Sequence, residues 1–151
     1  ILPCNQYKDM NMNPRLRNIL AVIAGLLAGA MLNGLLIEIG GYIVPPPEGA
    51  DNSTLEGLKA SLHLFRPRHF IMPFLAHALG TLAGCLVTIA ASAYGKRRLA
   101  FIVSSFYFLG GAYMVFALPA PLWFNLLDLL LAYYPMAWLA LKWTGMDSTE
   151  E

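Results

Sequence analysis

Charge is scarce in this 151-residue chain. Charged residues make up 13% and hydrophobic residues 58%, whereas soluble domains average about 25% charged and 45–50% apolar residues. The formal net charge is only +1, which argues against nucleic acid as a partner. Because the apolar residues are concentrated in long blocks, the composition predicts a membrane protein whose main partner is the lipid bilayer.

Cysteine is also rare. Of the two cysteines, Cys4 lies in the polar N-terminal tail and Cys85 within an apolar run. This arrangement excludes a disulfide framework and offers no zinc-site spacing. The sequence also lacks a nucleophile elbow, a phosphate-binding loop and a haem-attachment motif. It therefore predicts no cofactor and favours a non-enzymatic role, while the presence of a metal ion stays undecided.

Four apolar runs are each long enough to cross a bilayer as a helix, which takes about 20 residues. They cover residues 19–44, 69–94, 99–118 and 122–143. Proline and glycine residues mark the connections between the runs. The two short connections are consistent with antiparallel neighbouring helices. The predicted fold is all-α, an antiparallel four-transmembrane-helix bundle. It spans residues 19–143, with tails at 1–18 and 144–151, an external loop at 45–68 and a short external interfacial helix within that loop.

The distribution of lysine and arginine predicts the orientation of the bundle. Seven basic residues flank one side, namely Lys8, Arg15, Arg17, Lys96, Arg97, Arg98 and Lys142. Only three flank the other, namely Lys59, Arg66 and Arg68. Since cytoplasmic segments of membrane proteins carry the excess of positive charge, we expect both termini in the cytoplasm.

The external loop has the pattern of a short amphipathic helix. Residues 53–56 (Ser-Thr-Leu-Glu) match a capping box with Ser53 as the first residue. Apolar side chains then recur at helical spacing, at Leu55, Leu58, Leu62 and Phe65. This helix is expected to lie on the membrane surface or over the mouth of the bundle. Two interpretations stay open, a connector that rests on lipid and a functional lid.

Polar residues inside the apolar runs are the best candidates for a functional site, because burying them in lipid is costly. Glu38 and Asp128 are the only acidic residues within the runs. Counting 1.5 Å per residue from the run ends puts them, with His77 and Tyr113, about 8–13 Å below the outer boundary. Asn125 lies one turn above Asp128. We therefore predict an intramembrane polar cluster of these five residues.

Three roles for this cluster are compatible with the sequence. Neighbouring carboxylates and an imidazole can share protons and form a proton relay or a cation site. Carboxylates with histidine can also hold a metal ion or form a catalytic centre. The third role is structural, a hydrogen-bonded cluster that keeps the helices in register.

Small residues predict where helices approach closely. Gly80 and Gly84 form a GxxxG pair on the second span, on a stripe expected to face other helices. Gly25 and Gly29 form a second pair on the first span, nearly opposite Glu38. The first span is therefore expected to contact helices on two sides or to meet a second protomer. A homo-oligomer or a larger membrane complex is one of these alternatives.

Two further features lie near the predicted boundaries. His63, Arg66, Arg68 and His69 form an external basic rim, expected either to contact lipid phosphates and fix the start of the second span or to meet an anionic headgroup or substrate. Interfacial aromatic anchors are predicted at Tyr42, Trp123, Tyr133, Tyr134, Trp138 and Trp143. Pro135 is expected to kink the fourth span.

The chain resembles a group of small, uncharacterised four-span integral membrane proteins of bacteria. The resemblance lies in residues 62–81, with Arg66, Arg68 and His77, and in residues 118–138, with Asp128 and Pro135. It implies a bacterial inner-membrane setting and no assigned activity. We expect an accessory or structural membrane component. The alternatives are a proton- or ion-coupled small transporter and an enzyme or binder acting on lipid headgroups.

Overall fold

The computed structural model describes residues 12–146, which form helices joined by loops and turns, with no strand in that range. The helices are α1 (Pro14–Ile43), α2 (Leu55–Ser61), α3 (Ile71–Ala91), α4 (Lys96–Ala117), α5 (Leu122–Leu131) and α6 (Tyr134–Trp143). Two short 3-10 turns, Leu62–Leu64 and Pro67–Phe70, connect α2 to α3. Predictions for Lys8, Cys4 and the last five residues lie outside the described range.

Four helical segments are long and apolar enough to cross a membrane, which confirms the predicted all-α fold with four spans. They are Pro14–Ile43, Pro67–Ala91, Lys96–Ala117 and Leu122–Trp143, the last formed by α5 and α6 together. The first begins at Pro14, within the segment that the sequence assigned to the tail, because a helix does not end where the bilayer does.

The pairing of α1 with α3 is the most extensive helix contact in the bundle. The two predicted GxxxG pairs pack against each other there: Gly25 faces Gly84, and Gly29 faces Gly80. A Cβ atom added at Gly84 would lie 2.9 Å from the carbonyl oxygen of Gly25, so the backbones touch. The Gly25 and Gly29 face is thus buried within the chain rather than free for a second protomer.

The inner ends of α1 and α3 are joined by side chains. Asn18 accepts a hydrogen bond from the Ala93 amide (2.8 Å) and donates one to the Tyr94 carbonyl (3.0 Å). Arg17 donates through Nε to the Ala91 carbonyl at 2.8 Å. The last carbonyls of a helix lack partners within it, so these side chains satisfy the end of α3 and fix the turn into α4.

The fourth span is broken rather than kinked. Tyr133, between α5 and α6, has φ −120° and ψ −80°, outside the helical range, and Pro135 lies in the first turn of α6. Proline has no amide hydrogen and cannot bond the carbonyl of Leu131. The break turns Tyr133 inward, where it is 2% exposed. The prediction that Tyr133 is an interfacial anchor is therefore wrong.

The short helix α2 lies over one mouth of the bundle, at the end that the sequence predicts to be the outer one. Its N-cap is Thr54, whose hydroxyl accepts from the Gly57 amide at 2.9 Å; the predicted cap, Ser53, bonds Asp51 instead. These bonds from Ser53 lower the pKa of the Asp51 carboxyl. Leu58 and Phe65 pack with the cluster of Leu62, Phe70 and Phe124, so the apolar side of α2 rests on the bundle.

Candidate functional site

A hydrogen-bonded trio of His77, Asp128 and Tyr133 lies in the outer half of the bundle. Asp128 Oδ1 is 2.8 Å from His77 Nδ1, and Tyr133 donates its hydroxyl to Asp128 Oδ2 at 2.9 Å. Asp128 is 5% exposed. A buried carboxylate is tolerated only when its oxygens have partners, and here both oxygens have one.

The break between α5 and α6 is what brings Tyr133 to Asp128. In an unbroken helix, residues five apart lie about 140° apart around the axis and cannot share a face. The break returns Tyr133 toward the Asp128 side. On the facing helix α4, Gly111 leaves room for the ring, since a Cβ atom there would overlap the Tyr133 hydroxyl.

The arrangement leaves one nitrogen of the trio available. Because His77 faces the carboxylate through Nδ1, a neutral ring donates from Nδ1 and keeps its lone pair on Nε2. No described residue forms a hydrogen bond with Nε2, and the His77 side chain is 27% exposed. Asp128 and Tyr133 therefore orient an imidazole whose Nε2 can accept a hydrogen bond, take up a proton or bind a metal ion.

His77 borders a cavity of about 300 Å³ in the outer half of the bundle. The ends of α1, α3, α4 and α5 form its walls, and Leu58 and Leu62 border it from the α2 side. Most lining side chains are apolar. The polar exceptions are Asn52, His69, His77, Asn125 and Asp128. The cavity is thus a largely apolar chamber with a few polar groups in its wall.

Two residues of the predicted cluster lie elsewhere. The antiparallel register of α1 and α3 is set by two contacts, Gly29 with Gly80 and Gly40 with Met72. In this register Glu38 lies level with Phe74, about one turn above His77. Glu38 is exposed, however, and has no hydrogen bond or ion pair with any described residue. Tyr113 is 66% exposed. Neither side chain belongs to the trio, because both are exposed and neither contacts it by a hydrogen bond.

The remaining predicted cluster residue, Asn125, borders the cavity. Its side-chain nitrogen donates to the Ala120 carbonyl at 3.3 Å, which ties it to the start of α5. Its side-chain oxygen has no hydrogen bond with a described residue. Asn125 therefore belongs to the wall of the cavity rather than to the trio.

The external basic rim divides into a structural and an exposed part. His69 is 7% exposed and accepts the Arg66 amide at Nδ1 (2.8 Å), while Arg68 Nε lies 3.4 Å from its Nε2. Through Nδ1, His69 thus caps the turn that opens α3. His63 is exposed and bonds only the Ala60 carbonyl, at 2.8 Å. Within residues 12–146, no three His, Cys, Asp or Glu side chains cluster as a metal site would require.

Sequence reasoning missed Tyr133 and the cavity. A sequence signal for Tyr133 was present in Pro135, because a proline two residues after Tyr133 indicates that the helix is interrupted near this tyrosine. The cavity had no sequence signal, because four helices and the external loop form it together. Comparison of the chain with protein-family models, with curated proteins and with solved structures finds no match, so likeness assigns no family or activity.

Proposed function

We propose that this multi-pass helical membrane protein is an accessory component that binds a small amphiphilic molecule in its outer cavity. The observation that carries the proposal is the His77 ring, held by Asp128 through Nδ1, in the wall of a largely apolar chamber bordered by α2. Ligand sites commonly combine apolar walls with a few placed polar groups, and their volumes begin near 300 Å³. The cavity fits the lower end of that range.

The chemistry of the lining supports binding rather than acyl transfer. No serine, threonine, cysteine or lysine is among the described residues that line the cavity. Two unbonded atoms of the described lining residues, His77 Nε2 in the neutral ring and the Asn125 side-chain oxygen, are acceptors. The class of ligand that matches this lining has a short apolar body and a head group that donates a hydrogen bond, such as an amine or an alcohol.

The test is thermal unfolding of the purified protein with dodecylamine, dodecanol and dodecanoic acid, which share one chain length. A ligand present at 100 times its dissociation constant stabilises a protein by about 2.7 kcal/mol. We expect the amine and the alcohol to raise the melting temperature more than the acid. His77→Phe should abolish the difference between the ligands. Leu58→Trp should reduce the increase in melting temperature with all three ligands. His63→Phe, outside the cavity, should change neither the difference nor the increases. Equal shifts in wild type and Leu58→Trp would contradict the proposal.

A second candidate function is proton- or ion-coupled transport through the same pair. Its support is that His77 and Asp128, on two of the four candidate spans, contact each other and both line the cavity. Glu38 is outside the pair, so transport would depend on His77 and Asp128 alone. Reconstituted vesicles should then show flux driven by a pH gradient that Asp128→Asn abolishes and Glu38→Gln leaves unchanged. Absence of gradient-driven flux in the wild type would remove this candidate.

The setting and partners are part of the same proposal. We infer a bacterial inner membrane with both termini cytoplasmic, supported by the resemblance of residues 62–81 and 118–138 and by the excess of Lys and Arg on one side. Assembly with a second copy or another membrane protein would use the α1 face that carries Gly34 and Glu38, since a Cβ atom at Gly34 meets nothing within 4 Å.

A further inference from the structure

Two adjoining grooves open at the inner end of the bundle, far from the outer cavity. One lies between the starts of α1 and α4 and is bordered by Arg15, Ile19 and Arg98. The other runs along α4 from Arg97 to Leu109. Each has a volume of about 490 Å³. Because Arg98 borders both, the two grooves form one continuous surface with arginines at its inner end.

This surface carries positive side chains at the N-termini of α1 and α4, where acidic side chains are usual. Helix N-termini carry partial positive charge and normally favour acidic side chains. Neither α1 nor α4 has an acidic residue in its first turn; Arg15 and Arg97 stand there instead. The five acidic residues within 12–146 are all in the outer half, at Glu38, Glu48, Asp51, Glu56 and Asp128. The described surface therefore complements an anion.

The rest of the α4 groove is apolar and reaches the depth of one leaflet. Phe106 is 58% exposed and Leu109 64% exposed. Twelve residues separate Arg97 from Leu109, about 18 Å of helix, against about 15 Å for half of the hydrocarbon core. A groove of this length accommodates an acyl chain along its apolar part while the head group stays beside the arginines.

We propose that these grooves bind an anionic phospholipid of the inner leaflet. The head group lies at the arginine end, where Arg97 borders the α4 groove and Arg15 the adjoining one, and one acyl chain follows Phe106 and Leu109. The match of charge at one end and apolar length at the other favours a lipid over free phosphate, which would leave the apolar part of the groove empty. This site is independent of the ligand proposed for the outer cavity.

The test is native mass spectrometry of the detergent-purified protein titrated with phosphatidylglycerol and, separately, with phosphatidylcholine. We expect one phosphatidylglycerol per chain to bind more tightly than phosphatidylcholine. An arginine near an anionic lipid surface contributes a factor of about fivefold in affinity. Arg15→Gln and Arg97→Gln should each lower the affinity for phosphatidylglycerol by about that factor. Arg97→Lys should retain most of the affinity.

Lys142→Gln is the matched control, because Lys142 is a cation at the same end that lies 5.1 Å from the Trp138 ring centre and outside both grooves. It should leave the affinity unchanged. Equal binding of the two lipids, or an equal loss in Lys142→Gln and Arg97→Gln, would overturn the proposal. So would displacement of phosphatidylglycerol by millimolar inorganic phosphate. A decrease in wild-type affinity for phosphatidylglycerol at high salt supports the proposal without any variant.

Discussion

Asp128 shows how a carboxylate is accommodated inside a membrane span. An ionisable group at bilayer depth costs about 2.5–3.5 kcal/mol on insertion scales unless its surroundings compensate. Here Asp128 gains two partners, one from α3 and one from the break after α5. The hydrogen bond with His77 also fixes the tautomer of the ring, so the contact that stabilises the Asp128 carboxylate orients His77 as well.

Removing the Tyr133 hydroxyl should destabilise the fold and loosen His77. Tyr133→Phe leaves Asp128 Oδ2 buried without a donor, and an unsatisfied buried polar group costs about 1–3 kcal/mol. We expect a loss of that size in the free energy of unfolding, measured by detergent denaturation. Tyr134→Phe is the control, because Tyr134 is 40% exposed and its bond to Ser105 is 3.2 Å long; it should change stability by less than about 0.5 kcal/mol.

At the residue scale, counting helical rise gave depth but not direction. His77 and Asp128 were predicted at one level, and the structure joins them. Glu38 was predicted at that level too, yet it faces away. The sequence showed that Glu38 and the Gly25 and Gly29 pair lie on opposite faces of α1. It could not show which face meets α3, because both carry small residues.

The α1 and α3 pair is stabilised by backbone contact that only glycine permits. Carbonyl oxygens of α1 lie against glycines of α3, and the reverse also holds at Gly25 and Gly29. In a membrane, such close approach replaces the hydrophobic driving force that water provides to soluble bundles. The register of these contacts also sets the level at which His77 faces the other helices.

Two alanine substitutions on α1 should have opposite effects. Gly29→Ala would place a methyl group against the Gly80 carbonyl and the Tyr107 hydroxyl, and overpacking of this kind costs about 1–3 kcal/mol. Gly34→Ala meets open space and should stabilise the helix by about 0.5–1 kcal/mol. Thermal unfolding of both variants in the same detergent measures the difference. Equal behaviour would mean that the α1–α3 contact is not the one described.

In the fourth span, the local sequence pattern predicted that the helix is disturbed but not how large the disturbance is. Pro135 predicted a disturbance in the helix, and the structure has a break there. The size of the break was not predictable, because it depends on the bonds that Tyr133 makes with Asp128 across it. The external helix behaves similarly. Its apolar positions were predicted, but the cavity beneath it was not.

For the whole molecule, the charge asymmetry predicts the orientation in the membrane. Fusion of alkaline phosphatase, which is active only outside the cytoplasm, should give an active enzyme after Gly49. Fusions after Arg98 and Glu151 should be inactive, because Lys96, Arg97 and Arg98 favour the cytoplasmic side for the first of these segments and Lys142 favours it for the second. The difference should be severalfold in activity per amount of fusion protein. An active fusion after Glu151 would contradict the inferred orientation.

The sequence by itself determined that the chain is helical, that it has four apolar spans, and that His77 and Asp128 lie at one level. These properties depend on composition, run length and helical rise, all of which are local. Only the tertiary structure decided which face of α1 is buried, that Tyr133 turns inward, and that a cavity opens beside His77. Those features depend on residues distant in the chain, such as His77 and Asp128, 51 positions apart, whose contact no local pattern specifies.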